Sequence, residues 1–282
     1  MRFATIFAFI AFLAGPTPAA RGAEPVDLEL VIATDVSFSI DREEARLQRE
    51  GVANAFLSRE VIQAIRGGTL GKIAVAYIDF ASTPFNVKVM DWRLISDEAT
   101  AAAFARDLLA QPINRGMHTS ISSALVMGAE MIESNLYEGT RRVIDVSGDG
   151  PNNFEGRVDA VRDQVLAKRI VINGLPIIND ADRFNQRYFL PDLDRYFEGC
   201  VTGGPGSFVI VAKDFRRFAE AMKRKLVLEI AGLMPAPRIM PPIMPPIMKA
   251  QAGGYRATGG YEKGCDIGER MRYRAWGGLD EP

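Results

Sequence analysis

The sequence predicts an α/β domain: a doubly wound, mostly parallel sheet of about six strands with one antiparallel edge strand and helices on both faces. Three observations predict it. From Leu28 onward, short apolar runs alternate with stretches whose apolar residues recur at helical spacing. Two of the runs, Lys72 to Phe80 and Phe85 to Trp92, are joined through Ser82-Thr83-Pro84, a connection too short for a crossover helix, so they must pair antiparallel. The 282 residues, 48% hydrophobic and 24% charged, are also enough to bury a full core.

Leu28 to Ala33 is the first strand, apolar enough to be buried on both faces. A helix follows from about Arg42, capped by Asp41, with Leu47, Gly51, Val52, Ala55 and Phe56 on one face. After the antiparallel pair, helical spacing returns at Phe104, Ala105, Leu108 and Leu109. It is stronger at Ile121, Ala124, Leu125, Gly128, Met131 and Ile132. Arg142 to Ser147 is the next strand. A helix around Val158, Val161 and Val165 leads to the strand Ile170 to Leu175, and Ser207 to Ala212 is the sixth. A last helix carries Phe215, Phe218, Met222 and Leu226.

Outside this domain, assigned to residues 26–230, the chain changes character. Residues 1–23 read as a secretory signal peptide: the apolar run Phe3 to Ala14 is shorter than the roughly 20 residues that span a bilayer, and small residues from Ala19 to Ala23 follow it. The mature chain is expected to be periplasmic or secreted, without a transmembrane segment. Residues 231–250 form a linker in which Arg-Ile-Met-Pro-Pro-Ile-Met-Pro-Pro-Ile-Met excludes helix and favours a semi-rigid polyproline II spacer. Its Met234, Met240, Met244 and Met248 also admit a sharper reading, as thioether ligands for Cu(I). Residues 251–282 are a tail whose stretch from Tyr261 to Trp276 can dock back as a short helix. Cys200 and Cys265 either pair, which would pin that tail to the domain, or remain thiols; an oxidising compartment favours pairing.

Composition removes several functions. With 34 Lys and Arg against 35 Asp and Glu, the formal charge of -1 offers no global field for nucleic acid or anionic lipid. A single histidine, His118, excludes a multi-histidine zinc centre and would have to be the base of any Ser-His-Asp triad.

The chemistry gathers where ligands bind in open α/β sheets, beyond the carboxyl ends of the strands. The first strand runs into Asp35-Val36-Ser37-Phe38-Ser39, and residues two apart on extended chain point the same way, so Asp35, Ser37 and Ser39 converge. Thr119 precedes a strongly amphipathic helix, which either it or Ser120 can cap. Asp149, in Gly148-Asp149-Gly150, leaves another strand at the same edge. Hard oxygen donors of this kind suit Mg²⁺ or Mn²⁺. Asp79 and Asp145 lie inside apolar strands and are expected to be structural, paired with Arg141, Arg142 or a loop amide. Asn152 and Asn153 are expected to shape the turn after Asp149, and His118 to be an exposed loop residue.

In these residues the sequence resembles the von Willebrand factor type A domain and its metal-ion-dependent adhesion site. That family's pattern is Asp-x-Ser-x-Ser on one loop, Thr on a second and Asp, usually in Thr-Asp-Gly, on a third. The matching positions are Asp35, Ser37, Ser39, Thr119 and Asp149, within a resemblance running from Val26 to Glu229; Gly148 stands where the family often has Thr. The segments Arg142 to Asn153 and Cys200 to Gly206 also look like a bacterial group of exported members, which implies a fold and not a role. The resemblance implies a non-enzymatic module that binds Mg²⁺ or Mn²⁺ and, through it, an Asp or Glu of a protein partner. The alternative is a metal-dependent hydrolase or phosphatase using the same Asp and Ser cluster. Against it, the sequence has no nucleophile elbow or phosphate loop.

Overall fold

The computed structural model describes residues 22–179, 189–233 and 261–275. Residues 1–21 of the stretch read as a signal peptide, and the Pro/Met-rich segment with its four methionines, lie outside the described residues.

Among the described residues five strands form the sheet: β1 (Glu24–Asp35), β2 (Ile73–Phe80), β3 (Val87–Ile95), β4 (Tyr137–Gly148) and β5 (Val171–Pro176), in the order β3-β2-β1-β4-β5. The β1–β2, β1–β4 and β4–β5 pairs are parallel, and β2–β3 is the expected antiparallel edge pair. The sixth strand is a correction. Ser207 to Ala212 does run beside β5, but only through isolated bridges, Gly174 to Val209 and Ile177 to Ala212. The cause is Pro176. In this register its N–H would bond the Ile210 carbonyl, and proline has no such hydrogen, so the ladder is interrupted between the two bridges.

The helices are α1 (Arg42–Leu57), α2 (Arg59–Arg66), α3 (Glu98–Leu109), α4 (Ile121–Glu133), α5 (Val158–Ala167), α6 (Leu193–Tyr196), α7 (Phe218–Ile230) and α8 (Ile267–Ala275). Asp41 caps α1 in a full capping box with Glu44. The helical stretch then breaks at Ser58, whose hydroxyl donates to the Ala55 carbonyl and accepts from the Val61 amide, ending α1 and starting α2.

Alternate residues of β1 feed two cores, as a strand buried on both faces requires. Leu28, Leu30 and Ile32 pack with Phe56, Phe104, Phe218 and Met222 from α1, α3 and α7. Val31 and Ala33 pack on the other face with Leu125 and Ile132 of α4 and Val165 of α5. Among the described residues no helix is long and apolar enough to cross a membrane.

Asp79 does accept from a loop amide, Asn114 Nδ2 at 3.1 Å, but neither interior acid pairs with Arg141 or Arg142. Asp79 pairs with Arg49 of α1, whose Nη2 lies 2.9 and 2.7 Å from its two oxygens. Asp145 faces Lys225 of α7. Arg141 instead donates to the Glu229 and Ile230 carbonyls, where α7 ends, and Arg142 to the Lys168 carbonyl. Both arginines sit toward the start of β4, whereas Asp145 lies deeper in the strand, level with helix α7.

Candidate metal centre

Strand β1 is flanked by β2 on one side and β4 on the other, so the chain's winding reverses between β1 and β4. That is the switch point at which a crevice opens above a doubly wound sheet. Asp35 ends β1 and Asp149 follows β4, so the topology alone brings their loops side by side.

The first loop is held by its own backbone and by one arginine. Ser37 N–H donates to Asp35 Oδ1 at 2.8 Å. Gly116 N–H donates to the Val36 carbonyl at 2.9 Å, and Arg115 donates to the carbonyls of Phe38 and Ile40. Only glycine fits at position 116, because a Cβ there would sit 2.3 Å from that of Ala81. The second loop settles the capping question. Ser120 caps α4 by accepting from the Ser123 amide, which leaves the Thr119 hydroxyl to the cluster.

All five predicted residues come together. Thr119 Oγ1 donates to Ser37 Oγ at 3.1 Å, Ser37 Oγ and Ser39 Oγ are 3.0 Å apart, and Ser39 Oγ donates to Asp149 Oδ1 at 2.8 Å. Gly148 has a visible consequence: a Cβ there would lie 3.0 Å from Asp35 Oδ2, so the bare backbone lets β4 close against that carboxylate. Asp35 Oδ2 is buried and accepts no hydrogen bond. Burial first, and then the nearby Asp149 charge, push the Asp35 carboxyl well above the usual carboxylate range, although Ser37 and Thr119 oppose them. A buried pair of acids with a ring of hydroxyls and an orphaned oxygen is a donor set that a cation would satisfy. Among the described residues no three His, Cys, Asp or Glu side chains group as a metal site, so the hydroxyls would have to complete this one.

Several supporting residues play parts that the sequence did not show. Asn153 and Thr119 are joined twice: the Asn153 amide donates to the Thr119 carbonyl, and Asn153 Oδ1 accepts from the Thr119 amide at 3.1 Å. Asn152, fully buried, accepts from the Ser122 amide at the start of α4 and donates to the carbonyls of Phe154 and Gly156 and to Glu269. The two asparagines therefore lock the second loop to the third, a larger part than shaping a turn. Gln48 of α1 holds the Asp35 carbonyl at 3.1 Å. His118 is half-buried and stacks on Phe154 with centroids 4.8 Å apart, while burial and Arg272 lower its pKa.

Glu269 belongs to the tail. Cys200 and Cys265 form a disulfide, with Cα atoms 5.4 Å apart and a sequence separation of 65. The bond sets α8 against the third loop, where Gly268 lies so close to the Asn152 carbonyl that a Cβ would overlap it, and Arg272 covers the Phe154 ring. Cys265→Ser should lower stability by about 2–4 kcal/mol. It should also speed amide hydrogen exchange across 150–156; unchanged exchange there would mean that the domain holds the loop without the tail.

The fold resembles that of von Willebrand factor type A domains. The chain belongs to the DUF1194 family, described as protein of unknown function, whose model matches residues 25–234. Among solved structures it is similar to proximal thread matrix protein 1 from the mussel byssus, at TM-score 0.53 and 13% identity over 75% of this chain and 49% of that one. A von Willebrand factor type A protein from Catenulispora acidiphila matches at TM-score 0.50 and 13% identity, over 73% of this chain and 43% of that one. A further mussel structure, with a zinc-occupied MIDAS motif, matches at TM-score 0.50 and 14% identity over 75% and 49% of the two chains. The chain thus spans about half or less of these proteins, and identities this low establish the shared fold. The comparison with curated protein sequences gave no match.

Proposed function

We propose that this chain is an exported, non-enzymatic module that binds Mg²⁺ or Mn²⁺ through Asp35, Ser37, Ser39, Thr119 and Asp149. The cation then takes an Asp or Glu side chain of a protein partner. The observation that carries this reading is the convergence of two acids and three hydroxyls from three loops, with Asp35 Oδ2 buried and unsatisfied. Their spacing supports it. Magnesium holds oxygens at 2.0–2.1 Å in an octahedron, which puts neighbouring ligands about 2.9 Å apart. The contacts around Ser37 and Ser39 measure 2.8 to 3.1 Å. The zinc-occupied MIDAS motif of the mussel protein supports a divalent cation at this place in the fold; hard oxygen donors favour magnesium or manganese here.

Five protein donors leave an octahedral cation one open position for a further oxygen, and two acids do no more than balance its charge. A partner carboxylate fills that position, which is the physical reason for expecting an acidic ligand.

A calorimetric titration with MgCl₂ and MnCl₂ should give one saturable event. Affinity capture from the native envelope should recover a protein partner that chelator releases. No binding heat with either metal would overturn the cation assignment. Capture that is indifferent to chelator would overturn the partner's route to it. Turnover of phosphatase or esterase substrates with Mg²⁺ would favour the hydrolytic alternative instead.

A further inference from the structure

Beneath the sheet's other core lies a group of ionisable residues that the proposed site does not use. Asp145 of β4 and Lys225 and Glu229 of α7 have side chains no more than 1% exposed. Lys225 Nζ lies 2.6 Å from Asp145 Oδ2 and 3.1 Å from Glu229 Oε2. The contact with Asp145 is off the hydrogen-bond directions, since neither Asp145 oxygen accepts a hydrogen bond. Glu229, by contrast, is oriented: Asn173 Nδ2 donates to its Oε1 at 3.1 Å, and Asn173 Oδ1 accepts from the Phe208 amide. The Phe208 ring closes one side, 5.4 Å from Lys225 Nζ.

One ammonium between two buried carboxylates leaves an excess negative charge, which a dry interior resists by keeping one acid protonated. Burial chiefly, and Glu229 as well, push Asp145 up to about 7, with Lys225 pulling the other way, so Asp145 is the acid that holds a proton more readily than an ordinary carboxylate. The core therefore holds a carboxyl group with raised proton affinity, an ammonium and an oriented second carboxylate in contact, with bulk water excluded. Those are the reactants and the base of an amide condensation, and their mutual placement supplies the proximity such a reaction needs.

We propose that Lys225 Nζ and Asp145 Cγ condense to an intramolecular isopeptide bond, with Glu229 as proton acceptor. The Lys225 ammonium gives a proton to the Glu229 carboxylate, and the freed amine attacks Cγ of protonated Asp145. The Nζ–Cγ bond forms, the Cγ–OH bond breaks, and the hydroxyl leaves as water with the second proton from nitrogen. No oxidant or cofactor enters the balance: an acid, an ammonium and a carboxylate become an amide, a water and a protonated Glu229. Two mutually dependent buried charges are thereby replaced by a neutral amide, and α7 is tied covalently to the central sheet.

The test is mass spectrometry of the full-length protein after reduction and denaturation, with peptide mapping. The wild type should carry a branched peptide joining the Asp145 and Lys225 segments, lighter by one water than its linear parts, and trypsin should not cleave after Lys225. Glu229→Gln, which keeps the size of the side chain but removes the base, should yield linear peptides. Asp145→Ala should do so as well. Linear Asp145 and Lys225 peptides from the folded wild type would overturn the proposal even if both variants failed to fold. So would a water loss that maps to Asp149-Gly150, where a succinimide has the same mass.

Discussion

Replacing Asp35 by asparagine is expected to weaken Mg²⁺ or Mn²⁺ binding by more than about 100-fold, since it removes a charged ligand where loss of an outer-shell partner alone costs 10–100-fold. Asparagine keeps the oxygen that accepts from the Ser37 amide, so the loop keeps its shape while the charge disappears. The same substitution should stabilise the protein in chelator. The sign follows from the Asp35 carboxyl, whose folded pKa is raised by burial and by Asp149. Between its unfolded value near 3.9 and that raised value the folded state binds more protons than the unfolded one, so wild-type stability declines as pH rises through this window. The asparagine side chain has no such proton to lose. Melting curves in chelator from pH 4 to 8 should therefore diverge, with the variant higher at the top of the range. Added Mg²⁺ should raise the wild type and leave the variant unmoved. An Asp35→Asn protein that still binds magnesium with wild-type affinity would remove Asp35 from the site.

Arg49→Met is expected to cost about 3–5 kcal/mol, as breaking a buried pair does when it strands one charge. Arg49 and Asp79 are 4% and 0% exposed, and the guanidinium engages both carboxylate oxygens. Burial pushes Asp79 up while Arg49, Asn114 and Thr34 hold it down, so methionine would leave a carboxylate with only two weaker partners. The double variant Arg49→Met with Asp79→Leu should recover most of the loss, since an apolar pair of similar volume replaces the ion pair without a stranded charge. Urea unfolding of the single and double variants decides it. A single variant within about 1 kcal/mol of wild type would mean that the pair stabilises little more than exposed pairs do.

Much of the fold was legible because its signals are local. The alternation of apolar runs with helical spacing located every observed strand, and the short turn around Pro84 required the antiparallel edge. The sixth strand failed at one atom: Pro176 lies at the end of β5, and which neighbour its missing hydrogen would have served depends on a register that the sequence does not carry. The same limit applies to Asp79 and Asp145. Their burial was readable from apolar surroundings, but the choice of Arg49 and Lys225 over Arg141 and Arg142 depends on which helix crosses which strand.

By itself the sequence determined the α/β class and the grouping of Asp35, Ser37 and Ser39, because a strand exit followed by alternating donors declares itself within a few positions, whereas Thr119 was freed for the cluster only once Ser120 proved to be the cap. Only the tertiary structure decided what surrounds them. Asn152 and Asn153 bind the second loop to the third, and Glu269 reaches Asn152 from a tail more than 100 residues away, held there by Cys200 and Cys265. Those contacts join positions with no fixed spacing in the chain, and only the packing of α8 against the sheet edge brings their donors and acceptors within reach.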